Sequence, residues 1–121
     1  MFTYYNANPR QRKVNDCTVR AISLATGRSW DETYLELSDF ARSQAIMPDE
    51  VEYIDEYLER HFKKLCGCKH RKITVRDFVI DNPRGVFLIT MSGHITCCID
   101  GVIYDTFDPG ERFVWDIYEG E

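Results

Sequence analysis

The chain has 121 residues, 44% of them hydrophobic and 13% aromatic, with a formal net charge of −5. That length suits one compact domain over residues 1–121, the composition argues against disorder, and no apolar run is long enough to span a membrane. Whole-chain acidity works against a general nucleic-acid footprint, so nucleic-acid binding is not expected. Five cysteines, an odd number without the spacing of a small secreted scaffold, point to free thiols in a cytoplasm.

From the amino end, Met1 to Pro9 lacks the basic start and apolar core of a secretory signal, so export is not expected. Asn15-Asp16 is a helix-start signal. Residues 18–25 then read as one short helix closed by Gly27, with Cys17 in its first turn. Unpaired N–H groups and the helix dipole favour thiolate over thiol there, and a backbone N–H of that turn suits a developing oxyanion. Gln11, six residues upstream, is the candidate for a second oxyanion donor.

Ser29-Trp30-Asp31-Glu32 is a capping box, followed by Trp30, Tyr34, Leu37, Phe40 and Ala41 at helical spacing as a core-facing stripe. Pro48-Asp49 opens another predicted helix with Val51, Ile54, Leu58 and Phe62 on its apolar line and acids opposite. Residues 31–59 hold ten acids against one base, Arg42. Arg60, Lys63, Lys64, Lys69, Arg71 and Lys72 then cluster within thirteen residues, which reads as a solvated basic loop. His61, Cys66, Cys68 and His70 in this segment are four potential zinc ligands, but Cys-Gly-Cys-Lys-His is too compressed for an ordinary structural site, and no metal is assigned. Thr74 to Ile80 is a short helix ended by Asn82-Pro83-Arg84-Gly85.

Val86–Met91, His94–Ile99 and Val102–Phe107 then read as three strands joined by Ser92-Gly93 and Asp100-Gly101, and Arg112–Ile117 as a last strand. A two-residue Asp-Gly loop pairs Ile99 with Val102, Thr96 with Asp105 and His94 with Phe107. That register puts His94 and Asp105 on one face as diagonal neighbours and Asp108 on the other. Asp105 is therefore the expected orienter of His94, whose free nitrogen would exchange a proton with Cys17. Trp30, Trp115 and Tyr104 are aromatic candidates for a cleft wall, although such residues more often fill cores.

Cys17 at a helix start, Gln11 before it, and His94 with its acid on a distant hairpin together predict a cysteine hydrolase. The segment Gln11–Ala21 with Asn15-Asp16-Cys17, then Gly93-His94 and Asp105, resembles the papain-like cysteine peptidase superfamily, most closely the branch that removes double-glycine bacteriocin leaders. Small proteins of this kind occur in bacteria and their phages. The resemblance implies an α+β fold with an N-terminal helical half packed on a C-terminal antiparallel sheet and the site in the cleft between them. It also implies Cys17 as nucleophile, His94 as acid and base, Asp105 as orienter and Gln11 as oxyanion donor, with no cofactor and a protein or peptide substrate in the cytoplasm (the host's, if phage-encoded). It covers about eleven residues around Cys17 and the final hairpin. A catalytically idle fold of the same kind, used as a protein-binding module (anti-host, if phage-encoded), is the rival expectation.

Overall fold

A computed structural model describes residues 1–48, 50 and 52–120. The expected position of Asp49 and Val51 in the third helix falls outside the described residues. Four helices and six strands follow in chain order: β1 (Phe2–Tyr4), α1 (Cys17–Thr26), α2 (Trp30–Ser43), α3 (Glu52–His61), β2 (Lys63–Gly67), α4 (Val75–Asp81), β3 (Val86–Met91), β4 (His94–Ile99), β5 (Val102–Asp105) and β6 (Asp116–Glu119). The class is α+β, as expected. The strands form one mixed sheet ordered β1-β5-β4-β3-β6-β2, in which all pairs are antiparallel except β1 with β5.

Local sequence explains most of these elements. Gly27 takes the left-handed conformation (φ 73°) that an L side chain resists, and its N–H bonds to the Ser23 carbonyl, closing α1. Ser29 and Glu32 cap α2 reciprocally, and the Thr74 hydroxyl accepts the Asp77 N–H (3.1 Å) at the start of α4. In the β4–β5 hairpin Asp100 (φ 48°) and Gly101 (φ 80°) both have positive φ, the two-residue turn compatible with strand twist. The Asp100 carboxylate also accepts the Gly85 N–H (2.9 Å), tying this turn to the entry of β3.

Register divides the sheet into two faces. Leu88, Ile95, Cys97 and Tyr118 pack against Ala21, Ile22, Leu37, Ala41, Tyr53, Tyr57 and Leu58 from α1, α2 and α3. Phe87, Ile89, Cys98, Ile103 and Ile117 pack against Val75 and Val79 of α4. The helical half therefore covers one face only, and α4 forms a third layer on the other.

Several expectations are corrected. The sheet is neither purely C-terminal nor purely antiparallel, because β1 joins its edge in parallel. The segment expected as a basic loop contains β2, whose Lys63 and Lys64 side chains project from an exposed edge strand paired with β6. The last strand starts at Asp116 rather than Arg112, the preceding residues running as an extended segment with one bridge from Phe113 to Thr74. Along α3 the buried positions are Tyr53, Tyr57 and Leu58, with Ile54 and Phe62 only partly buried. The α2 stripe is buried at Leu37 and Ala41, but Trp30 and Tyr34 stack on each other at its start (5.1 Å), leaving Tyr34 exposed. Free thiols hold for Cys17, Cys97 and Cys98, whereas Cys66 and Cys68 form a disulfide across Gly67. No described helix is long and apolar enough to cross a membrane.

Leu88 is fully buried in the central strand β3, where truncation leaves a cavity between helices and sheet. Leu88→Ala is expected to destabilise the protein by about 2–5 kcal/mol in urea unfolding, against less than about 0.5 kcal/mol for the exposed Ile80→Ala.

Candidate active site

Cys17 opens α1, and its immediate neighbours leave that helix end open. Asp16 occupies the N-cap position, yet its carboxylate makes no capping bond to the first-turn amides. It is turned instead toward Arg20 Nε (2.8 Å), Trp30 Nε1 (2.9 Å) and Asn8 Nδ2 (3.3 Å). The first intrahelical bond runs from the Arg20 N–H to the Asp16 carbonyl, so the helix itself supplies no acceptor for the N–H groups of Cys17, Thr18 and Val19. A helix start of this kind favours negative charge on or beside Cys17.

His94 begins β4, across the cleft from that helix end. Its Nε2 lies 2.7 Å from Oδ2 of Asp105, and both side chains are almost wholly buried. The ring's remaining nitrogen, Nδ1, is thereby left for Cys17, whose sulfur interacts with the His94 ring and with the Ile95 backbone amide. The acid is Asp105, as the register predicts. Asp108 turns away, accepting the Gly110 N–H (2.9 Å) and facing Arg76. The paired β4–β5 ladder, however, runs only from Ile99–Val102 to Cys97–Tyr104. The anticipated pairs Thr96–Asp105 and His94–Phe107 are absent from it, and on its other edge β5 pairs with β1, with Tyr4 opposite Asp105 and the Tyr5 N–H on the Asp105 carbonyl (2.9 Å). Phe107 instead lays its ring against the imidazole (4.6 Å between centroids), shielding it from water.

The second carboxylate oxygen of Asp105 is held by residues that sequence reasoning missed. Oδ1 accepts from Arg20 Nη1 (3.0 Å) and from the Thr106 N–H (2.7 Å). Arg20 thus bridges Asp16 and Asp105, joining the start of α1 to the acid of the hairpin. The available signal was the i,i+4 spacing of Asp16 and Arg20, which puts them on one helix face. Nothing local revealed the 85-residue reach to Asp105.

Electrostatics follow from this arrangement. Burial opposes ionisation of Cys17, but hydrogen bonds from His94 and the Ile95 amide, with the positive charges of His94 and Arg20, hold its thiol below the ordinary value. Burial likewise disfavours the His94 cation, and is outweighed by the hydrogen bonds and charges of Asp105 and Cys17, which raise its pKa to about 9. Asp105, despite burial, is held below the usual carboxylate range chiefly by its bond to His94. The arrangement therefore favours negative charge on Cys17 and Asp105 and positive charge on His94 between them.

Gln11 does not join this group. A positive φ (54°) folds it into a tight turn, where its amide nitrogen donates to the carbonyls of Asn6 (3.0 Å) and Asn8 (2.9 Å). Both amide hydrogens are thus used inside the loop, and the residue does not line the cleft, so the expected oxyanion contact is not formed. The zinc set also fails to converge. Cys66 and Cys68 are disulfide-bonded, His61 Nδ1 is bonded to the Tyr57 carbonyl (2.9 Å), and no group of three or more metal-ligating side chains gathers among the described residues.

A cleft of about 480 Å³ runs past Cys17 and His94. Val19, Ile54, Met91, Ile95 and Trp115 supply apolar wall, and Asn15 and Asp55 supply polar rim. Of the three aromatic candidates, Trp115 lines the cleft. Trp30 is spent on Asp16 and Tyr34, and Tyr104 packs edge-on against Tyr5. The chain matches no family model, no curated protein and no solved structure.

Replacing Arg20 by Met removes the cation that holds Asp105 Oδ1 and adds to the field at Cys17. The expected result is a rise in the apparent pKa of Cys17 alkylation and a fall in its rate of about tenfold at neutral pH, with Arg20→Lys intermediate. Iodoacetamide kinetics across a pH series measure both.

Proposed function

We propose that the protein is a papain-like cysteine hydrolase that cleaves a peptide, isopeptide or other amide bond through a covalent thioester. The observation that carries this reading is the imidazole of His94, bonded through Nε2 to Asp105 at 2.7 Å while its other side meets the lowered-pKa thiol of Cys17. The α+β layering, with Cys17 on a helix and His94 on the sheet it packs against, agrees with that superfamily's plan.

In the proposed reaction the Cys17 thiolate attacks the carbonyl carbon, forming the C–S bond and moving the carbonyl electron pair onto oxygen. The first-turn N–H groups of α1 receive this oxyanion. As the C–N bond breaks, the His94 imidazolium gives its Nδ1 proton to the departing amine. Neutral His94 then takes a proton from water, which attacks the thioester, and the carboxylic product leaves as the thiolate–imidazolium pair reforms. Asp105 keeps the ring oriented and its cation stable throughout. Gln11 is not used in this scheme, and no cofactor is required.

The rival reading, an idle fold that binds a protein through the cleft, is separated by thiol reactivity. An active site predicts that Cys17 reacts with iodoacetamide at about pH 6 faster than a free thiol and loses that advantage in His94→Ala. Reactivity equal to a free thiol's supports the idle fold.

Turnover should be bell-shaped in pH. kcat/KM rises as Cys17 gives up its proton, below the ordinary thiol range, and falls as the imidazolium deprotonates through about 9. Cys17→Ala is expected to abolish turnover while changing unfolding stability by less than about 1 kcal/mol, since the side chain is only partly buried. Asp105→Ala is expected to retain measurable activity, because an unoriented imidazole still transfers protons. A Cys17→Ala enzyme with full activity would refute the mechanism.

A further inference from the structure

The cleft wall carries one charge that the catalytic network does not explain. Of the ionisable residues lining the cleft, Asp16 is neutralised by Arg20, Cys17 and His94 belong to the set completed by Asp105, and the Tyr53 hydroxyl donates to the Pro48 carbonyl (2.5 Å). That leaves Asp55, on α3 beside the apolar Ile54. No lysine or arginine lines the cleft among the described residues, and Asp55 has no ion pair there.

The surroundings of Asp55 strengthen its demand for a cation. Glu59 lies one turn further along α3, and Asp116 approaches from β6. The ammonium that pairs with these acids among the described residues, Lys64 of β2, is already shared between Asp116 (3.5 Å) and Glu59 (3.8 Å). Three carboxylates therefore share one ion-pairing base among the described residues. The Tyr118 hydroxyl, fully buried and without a hydrogen-bond partner among the described residues, lies within electrostatic reach of the same three acids. Asp55 is exposed, but partial desolvation and the charges of Asp116 and Glu59 push its carboxyl above the usual range, so an incoming positive group relieves repulsion as well as forming a pair.

We infer that the cleft selects a polypeptide segment bearing a lysine or arginine, whose aliphatic stem lies on Ile54 and Trp115 while its charged end is received by Asp55. A long cationic side chain suits this wall because its stem is apolar and only its tip needs charge. The indole of Trp115 already takes an ammonium on one face, that of Lys69 at 4.1 Å from the ring centroid, although Lys69 does not line the cleft. Lys64 and Lys69 are the cations that oppose an incoming base. Lys64 is committed to two acids, so the local balance at the α3 end stays negative.

The inference rests on the hydrolase reading, and its test separates the two. Quenched fluorescent peptides are prepared in which one residue, at each position in turn, is lysine, norleucine or glutamate, and kcat/KM is measured. Lysine at one position is expected to exceed norleucine by about fivefold to tenfold, the scale of a partly exposed ion pair. Asp55→Asn should bring that ratio to about one, and Asp55→Lys should invert it in favour of glutamate. Cleavage without a lysine preference, or a preference that survives in Asp55→Asn, overturns the inference and leaves the hydrolase reading standing. Failure to cleave any peptide overturns the inference, and it overturns the hydrolase reading as well when Cys17 reacts with iodoacetamide no faster than a free thiol.

Discussion

Asp105 divides its carboxylate between two halves of the molecule: Oδ2 holds the His94 ring and Oδ1 holds Arg20. Only 2% of its side chain is exposed, and burying an unpaired carboxylate there would be prohibitive. The fold therefore requires both partners, and they come from β4 on one side and α1 on the other. Breaking such a buried arrangement by removing one member typically costs about 3–5 kcal/mol, because the remaining charge is stranded. One ionic junction thus sets the distance between helix and hairpin and presents His94 to Cys17. Stability and reactivity are joined at this point.

The three free cysteines show how far environment decides chemistry. Cys97 and Cys98 are neighbours on the same strand as His94, but each faces a packed layer. Burial raises Cys97 to about 12 and moves Cys98 upward as well. Cys17 is partly buried too, yet an imidazolium, a backbone amide and a guanidinium reverse the sign of the shift. Residue type alone would have ranked the three equally. What distinguishes Cys17 is its place at an uncapped helix start opposite a histidine whose second nitrogen is already engaged.

What was legible in the sequence follows the range of the interactions. Caps, the closing Gly27 and the Asp100-Gly101 turn act within a few residues, so α1, α2, α4 and the β3–β4–β5 run could be read closely. The same turn chemistry set the face shared by His94 and Asp105, the most consequential inference from spacing. β1 and β2 were not legible, being short edge strands rich in exposed polar or charged groups whose partners lie far away in the chain. Arg20 was missed for a related reason: its bond to Asp105 is created by the packing of α1 on the sheet. Gln11 failed differently, since its spacing from Cys17 was right but the loop's own carbonyls captured its amide.

The two borders of the sheet are protected by different means. β1, the strand at one border, is only three residues long and pairs with β5 from Phe2–Ile103 to Tyr4–Asp105, so it shields the strand that carries the orienting acid and leaves only a short rim of its own. At the far border β2 remains exposed, but successive lysines stand there, and crowded ammonium groups discourage two molecules from zipping together. The half of the ribbon nearest the nucleophile is thereby insulated from aggregation by the shortness of its border strand, and the distant half by charge repulsion.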